Sequence, residues 1–159
     1  MNDYLPAAFK IIANFEGFRA NSYKCPAGVW TIGYGSTYYP NGHLVQPGDR
    51  PVTKEQAESY LKLHIQNVIV PVLSKRIPTW GPMNSNQKAV IISFAYNLGT
   101  YFYGSEGFNT ITRELSNKDN WKNVPKALLL YVNPGSTFEA GLRARRTAEG
   151  DLWRKIPNT

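Results

Sequence analysis

Apolar positions near the start of the chain recur with the spacing of an amphipathic helix. Four of them fall on one face, at intervals of three or four residues: Leu5, Phe9, Ile12 and Phe15. Pro6 is tolerated in a first helical turn, and a glycine directly after Glu16 is typical of a helix C-cap. The pattern therefore predicts a helix from Pro6 to Glu16.

The next stretch changes to short runs of β-branched and aromatic residues. Residues 29–34 form the clearest run. The Pro26-Ala27-Gly28 segment before it predicts a tight turn, because Pro presets φ and Gly accepts a positive φ. Two shorter pieces, residues 22–24 and 43–45, flank this run, and Asn41-Gly42 is a turn signal. We predict a small antiparallel sheet of these three pieces.

Five further helices are predicted after the sheet. Two begin with a capping box, in which a small polar residue and a glutamine three positions later bond each other's backbone: Thr53 with Gln56, and Asn84 with Gln87. The helix that begins at Thr53 contains Pro71, which is expected to end or kink it. Ser136 and Glu139 predict a similar cap for the last helix. The five helices are assigned to about residues 53–76, 84–98, 108–115, 124–132 and 137–155.

Composition narrows the class of protein. With 159 residues, 42% of them hydrophobic and 18% charged, the chain suits one soluble globular domain with a real core. Its single Cys excludes an intramolecular disulfide. No apolar run approaches the ~20 residues of a membrane span, and residues 1–6 lack the features of a signal peptide. We expect a monomer without stable membrane insertion, and no cofactor or metal.

The charge balance suggests an anionic partner. The net charge is +7, from 18 Lys and Arg against 11 Asp and Glu, and a basic surface attracts anionic polymers. The sequence contains no zinc-finger spacing, no RRM-like aromatic motif and only short basic runs. A bacterial wall polymer is therefore favoured over nucleic acid, and solubility alone is the plainer explanation of the charge.

Three residues between positions 16 and 37 can do chemistry on a glycosidic bond. Glu16 can hold and donate a proton, while Cys25 and Thr31 can orient a water molecule. They follow one another with eight and then five residues between them. The predicted hairpin brings Cys25 and Thr31 together. Taken singly, each has a plainer explanation as a solvated charge, a small buried hydrophobe or a strand former, and only the spacing favours chemistry.

This stretch resembles the phage-type lysozymes, the endolysins of glycoside hydrolase family 24. Their signature is a Glu, eight residues, an Asp or Cys, five residues, and a Thr within G-x-W-T-I-G-Y-G. Residues 28–35 match that frame completely. Residues 94–99 resemble the family's F-A-x-N-x-G, and residues 141–152 resemble its C-terminal motif, so the resemblance extends from about residue 11 to 153. It departs at Ser36, where many members have His.

The resemblance implies a lysozyme-like α+β fold in one domain of residues 1–159, mostly α-helical with a small antiparallel sheet lobe. The sheet lobe would cover about residues 17–52, a long connecting helix about 53–76, and a helical lobe about 83–156 together with the N-terminal helix. It also implies an endolysin that lyses host cells. The implied reaction is hydrolysis of the β-1,4 bond between N-acetylmuramic acid and N-acetylglucosamine in peptidoglycan.

The resemblance also assigns roles to single residues. Glu16, Cys25 and Thr31 would be catalytic. Four residues would line the substrate cleft by motif position: Gly35, Thr37, Tyr96 and Asn97. Of Arg143, Arg145 and Arg146, two are expected on a solvated basic face, and one, by motif position Arg143, is expected to reach Glu16. At the C-terminus of a helix, partial negative charge disfavours a carboxylate and would help keep Glu16 protonated.

Several alternatives stay open. A water held by Cys25 and Thr31 predicts inversion at the anomeric carbon, whereas a thiolate could act as a base or attack covalently. The same acid could serve a lytic transglycosylase. A wall peptidase using Cys25 with His43 or His64 lacks a supporting motif, and an inactive wall-binding or tail module would explain Cys in place of Asp. The expected location is the host cytoplasm until a holin releases the protein to the wall.

Overall fold

The first helix presents the candidate acid at its end. The computed structural model describes residues 3–157, and α1 runs Leu5–Glu16, which confirms the predicted helix to within one residue. Gly17 ends it with a φ of 74°, and its N–H donates to the carbonyl of Ala13 at 2.9 Å. Ala8 and Ile12 of this helix are fully buried, so the helix is fixed against the core.

The sheet has two strands. Strand β1, Arg19–Lys24, pairs antiparallel with β2, Trp30–Gly33, and Tyr23 lies opposite Thr31 in the register. The predicted third strand at residues 43–45 is wrong. That segment folds back on residues 37–39 through the Asn41-Gly42 turn and makes one isolated bridge, Tyr38 with Leu44. Pro47, which has no N–H to donate, follows too closely for a longer ladder.

A long helical segment connects the sheet to the rest of the molecule. It comprises α2, Lys54–His64, a π-helical turn, Ile65–Ile69, and α3, Val70–Arg76. The predicted capping box is confirmed, since the Thr53 hydroxyl accepts from the N–H of Gln56 at 3.1 Å. Pro71 does not end the segment. The π-helical turn, Ile65–Ile69, directly precedes α3. Pro71 therefore lies in the first turn of α3, where a backbone N–H is not needed for the helix.

Helix α4, Ser85–Leu98, is the centre of the larger lobe. The second predicted capping box is confirmed, since the side chain of Asn84 accepts from the N–H of Gln87 at 2.8 Å. Its length from Ala89 to Ala95 is buried, and it packs against α1 and the last helix. A separate small apolar cluster supports the sheet: Ile32, Val45, Val52 and Ala57.

The last third of the chain is also helical, but its boundaries differ from the prediction. The elements are α5, Asn109–Ser116, an unpredicted 3-10 helix, Lys118–Asn123, α6, Val124–Leu128, and α7, Glu139–Arg154. Helix α6 ends early because the N–H groups of Leu130 and Tyr131 bond three residues back, which tightens the chain out of the α-helix.

The predicted cap of the last helix is wrong. The Ser136 hydroxyl donates to the carbonyl of Asn133 at 2.7 Å and accepts from the N–H of Phe138, while Glu139 accepts from the N–H of Gly135. Both side chains therefore stabilise the preceding turn. The α+β class is confirmed, and within residues 3–157 no helix has the length and apolar character needed to cross a bilayer.

Candidate active site

The carboxyl of Glu16 lies where α1 meets the chain after β2. A Cβ atom placed on Gly35 would lie 3.0 Å from Glu16 Oε1 and 2.9 Å from the hydroxyl oxygen of Tyr96. Gly35 also has a φ of 93°, which favours glycine. The missing side chain therefore lets the backbone approach the candidate acid. The Tyr96 hydroxyl donates to the carbonyl of Tyr34 at 2.8 Å and so closes this corner.

Cys25 and Thr31 are brought together by the hairpin. Thr31 is only 4% exposed, and its Oγ1 donates to the carbonyl of Val29 at 2.9 Å. Hydrogen bonding to the backbone, chiefly at Val29, lowers the pKa of the Cys25 thiol, although burial acts in the opposite direction. The thiol is therefore more readily ionised than a free cysteine.

Tyr23 lies near both Glu16 and Cys25. No role was predicted for it from the sequence. Burial raises the pKa of the Tyr23 phenol, the Arg19 cation lowers it, and the charges of Glu16 and Cys25 raise it further. The phenol is thus within electrostatic range of both reactive groups. Arg19 lies over its ring, 4.4 Å from the centroid. Its register opposite Thr31 was the signal that could have identified it.

The ion pair to Glu16 is made by Arg145, and the predicted partner, Arg143, is wrong. Arg145 Nη1 lies 2.8 Å from Glu16 Oε2. Arg143 instead pairs with Glu139, one turn earlier on its own helix. Arg145 and Arg146 are 4% and 0% exposed, so the expectation that two of the three arginines are solvated is also wrong. The guanidinium of Arg145 therefore lies beside the carboxyl at the C-terminal end of α1.

A buried polar network holds Arg145 in place. Its Nη2 donates to the carbonyl of Ser93 at 3.1 Å, and the Ser93 hydroxyl donates to Glu149 Oε2 at 2.7 Å. Arg146 Nη2 donates to Glu149 Oε2 at 3.2 Å, and its Nε lies 2.9 Å from Oε1 without the angle of a hydrogen bond. Burial raises the pKa of Glu149 and lowers that of Arg146 to about 10, so Arg146 remains a cation at neutral pH.

A cleft of about 120 Å³ adjoins the acid. Three of the four predicted substrate residues line it: Gly35, Thr37 and Tyr96. The fourth, Asn97, is outside its lining, and its Oδ1 accepts from Arg146 Nη2 at 2.6 Å. Asn97 therefore belongs to the buried network around Arg146.

His64 forms part of the cleft wall. Tyr38 and His64 share a hydrogen bond of 3.0 Å between the hydroxyl and Nδ1, and the His64 ring packs edge-on against Tyr96. Burial lowers the pKa of His64. The backbone N–H of His43 bonds Asn41 in an exposed turn. Within residues 3–157, neither histidine forms a hydrogen bond with Cys25, as the pair of a cysteine peptidase would. Ser36, at the family's His position, is 9% exposed.

Known proteins are similar to this chain in sequence and in fold. The family model described as phage lysozyme matches residues 13–149. An endolysin of Acyrthosiphon pisum secondary endosymbiont phage 1 is 32% identical over 147 residues, covering 90% of this chain and 92% of the relative.

Two solved structures extend the comparison. An endolysin from Escherichia coli O157:H7 phage FAHEc1 superposes with a TM-score of 0.76 at 27% identity, covering 95% of this chain and 94% of that one. The muramidase domain of SpmX from Asticaccaulis excentricus also gives 0.76, at 25% identity and with 94% and 96% covered. Because the family model spans most of the sequence, the chain belongs to the phage lysozyme family.

Proposed function

We propose that the protein is an N-acetylmuramidase that hydrolyses the β-1,4 bond between N-acetylmuramic acid and N-acetylglucosamine. The proposal rests on the position of the candidate acid, Glu16, and on the pairing of Cys25 with Thr31. The Glu16 carboxyl lies beside Gly35 and Tyr96. On the hairpin, Tyr23 lies opposite Thr31, and its phenol is within electrostatic range of both Glu16 and Cys25. The names of the relatives, endolysin and muramidase domain, support peptidoglycan as the substrate.

In the proposed reaction, Glu16 is the general acid. It donates its proton to the glycosidic oxygen as the bond to the anomeric carbon breaks. Arg145 fixes one carboxyl oxygen by its 2.8 Å contact, which orients the group toward the cleft. Gly35 keeps the space between acid and sugar open. Arg145 is thus a positioning residue, because its own contacts are with Glu16, Ser93 and Glu149.

Cys25 and Thr31 hold the attacking water. Thr31 donates its own hydrogen to the Val29 carbonyl, so the lone pairs of Oγ1 remain as acceptors for a water hydrogen. The hydrogen bonds that lower the pKa of Cys25 favour its thiolate form, and the sulfur is the second acceptor. The water attacks from the face opposite the leaving group, and the anomeric centre inverts. We infer that the enzyme acts as a monomer and reaches the wall at host lysis.

Clearing of purified bacterial walls, followed by product analysis, tests the proposal. Hydrolysis gives reducing N-acetylmuramic acid ends, whereas a transglycosylase gives an anhydro sugar that is lighter by one water. NMR of the first-formed ends should show the α-anomer from the β-linked substrate. A β-anomer would make Cys25 a nucleophile, and an anhydro product would assign the transglycosylase reaction. No clearing by folded protein would favour an inactive binding module.

A further inference from the structure

A second cavity, separate from the cleft, lies along α1 and α7. It encloses about 1020 Å³ and shares no lining residue with the cleft. We call it the apolar groove, and most of its lining is aliphatic or aromatic, including Phe9, Ile11, Phe15, Leu152 and Ile156. Ile156 is 84% exposed. An apolar cavity of ligand size that opens to solvent indicates a binding surface.

The charges around the groove have one sign. Three lysines line it from three different elements: Lys10 on α1, Lys54 at the start of α2, and Lys155 directly after α7. All three are exposed, and no Asp or Glu is among the lining residues. The Lys54 ammonium lies 5.8 Å from the centre of the Phe18 ring, so cation and apolar wall are adjacent. The complementary ligand combines an anionic group with an apolar body.

The polar groups of the groove argue against an extended peptide as that ligand. The Nδ2 of Asn86 already donates to the carbonyl of Lys155 at 3.0 Å, and the Tyr34 carbonyl already accepts from Tyr96. The backbone groups of the two helices bond within their own helices. A peptide backbone buried here would leave its own polar groups unpaired, which is unfavourable. An acyl chain has no such groups.

We propose that the apolar groove binds one anionic membrane phospholipid, with its acyl chain along α1 and α7 and its headgroup at Lys10, Lys54 and Lys155. The volume is at the upper end of the roughly 300–1,000 Å³ that small-molecule sites occupy, which suits a lipid. Binding one lipid requires no membrane-spanning helix.

The groove and the candidate active site share a wall. The Tyr34 ring packs against Phe9 and Phe18, with ring centroids 5.4 and 5.6 Å apart, while its carbonyl bonds Tyr96 in the cleft. Phe15 lines the groove directly before Glu16 in α1. A lipid in the groove therefore contacts the rear of the elements that hold Glu16.

Calorimetric titration with lysophosphatidylglycerol below its critical micelle concentration tests the proposal. We expect one molecule bound per chain, at least about tenfold weaker binding of lysophosphatidylcholine with the same chain, and no binding of glycerol phosphate. The double variant Lys10→Glu/Lys155→Glu should weaken binding by at least about tenfold. Lys75→Glu/Lys122→Glu, which reverses two exposed lysines outside the groove, is the matched control and should bind normally. Ala148→Trp should block the groove.

Equal binding of the anionic and zwitterionic lipids would overturn the proposal, as would equal losses in the groove variant and the Lys75→Glu/Lys122→Glu control. Binding only above the critical micelle concentration would indicate adsorption to micelles. Self-association that Ala148→Trp abolishes would assign the groove to a second copy of the chain. Circular dichroism establishes that each variant folds. Because no wall substrate is used, the result is independent of the proposed muramidase activity.

Discussion

The candidate acid is defined by its immediate neighbours. Glu16 follows a helix that ends at Gly17, faces a position where only glycine leaves room, and contacts one oriented guanidinium. Each neighbour restricts where the carboxyl can point. A general acid must lie within hydrogen-bond reach of the leaving oxygen, so these restrictions bear directly on activity.

Glu16→Gln should fold normally and lose wall clearing by at least ~100-fold, the lower end expected when a general acid is removed. The amide keeps the shape of the side chain but has no proton of suitable acidity to give. Clearing rates at equal concentrations of folded protein measure this. Glu106→Gln, in an exposed loop, is the control and should clear walls at the unaltered rate. A Glu16→Gln variant with most of its activity would rule out the acid role.

Cys25→Asp should retain more activity than Cys25→Ala. An aspartate restores an acceptor for water and a stronger base than a thiol, whereas alanine supplies neither. Initial clearing rates of the Asp, Ser and Ala variants give the order. If all three are inactive, the thiol itself is required, and mass spectrometry of the enzyme during turnover should then find a glycan on Cys25.

At the scale of elements, the connecting segment forms one wall of the cleft, and one of its turns departs from α-helical geometry. Its π-helical turn, Ile65–Ile69, follows directly after His64, and π-helical turns are frequent at functional sites. His64 contacts Tyr38 from the sheet side and Tyr96 from α4. Its packing therefore couples three parts of the fold.

This packing predicts a pH-dependent stability. Burial lowers the pKa of His64 in the folded state below its ordinary value of about 6.5. Between the two values the unfolded chain binds a proton that the folded chain does not. The free energy of unfolding should therefore fall as the pH drops from about 6.5 toward the folded-state pKa.

Urea unfolding at a series of pH values measures this dependence. His64→Gln should reduce the slope, because it removes the titrating group. His43→Gln, at an exposed turn, should keep it. Identical slopes in all three proteins would show that His64 does not contribute.

At the scale of the whole molecule, the first and last helices meet at the site. Arg145 on α7 reaches Glu16 on α1 across 129 positions, and the same arginine contacts Ser93 of central α4. The network thus joins three helices at the candidate acid. It also surrounds the fully buried Glu149, so it affects stability as well as geometry.

Arg145→Met should lower the free energy of unfolding by about 3 kcal/mol or more, because it leaves a buried carboxylate with one cation fewer. It should also slow wall clearing under conditions where the variant is fully folded. Arg145→Lys should restore part of both, since it keeps the charge but loses the planar fork. Arg143→Met, whose ion pair is solvent-exposed, is the control and should change little. Equal effects of Arg143→Met and Arg145→Met would contradict this network.

Local signals in the sequence were sufficient for much of the fold. Thr53 and Asn84 were recognised as caps because each bonds a residue three positions away, and Glu16 was placed at a helix end by Gly17. Ser136 has the same local pattern but bonds Asn133 instead, in a turn where Asn133 has a φ of 48°. A cap pattern does not reveal such a competing turn.

The arginine partner could not be predicted because it depends on packing. Arg143 and Arg145 are two positions apart, so they lie on different faces of α7. The alanines between and around them leave the buried face ambiguous. Only the docking of α7 against α1 and α4 determines that Arg145 is inside. The contacts of Tyr23 and His64 were not predicted for the same reason, since they are made with neighbours brought close by the fold.

The contact between Arg145 and Glu16 also has a consequence during synthesis. On the ribosome, α1 emerges first, and a nascent chain carries Glu16 long before Arg145 has been translated. Contacts of such high sequence separation form late and close large loops. Until α7 docks, the carboxyl of Glu16 lacks its guanidinium partner. Truncated or unfinished chains should therefore contain the acid but not the oriented site, so wall-cutting ability would begin only with nearly complete translation.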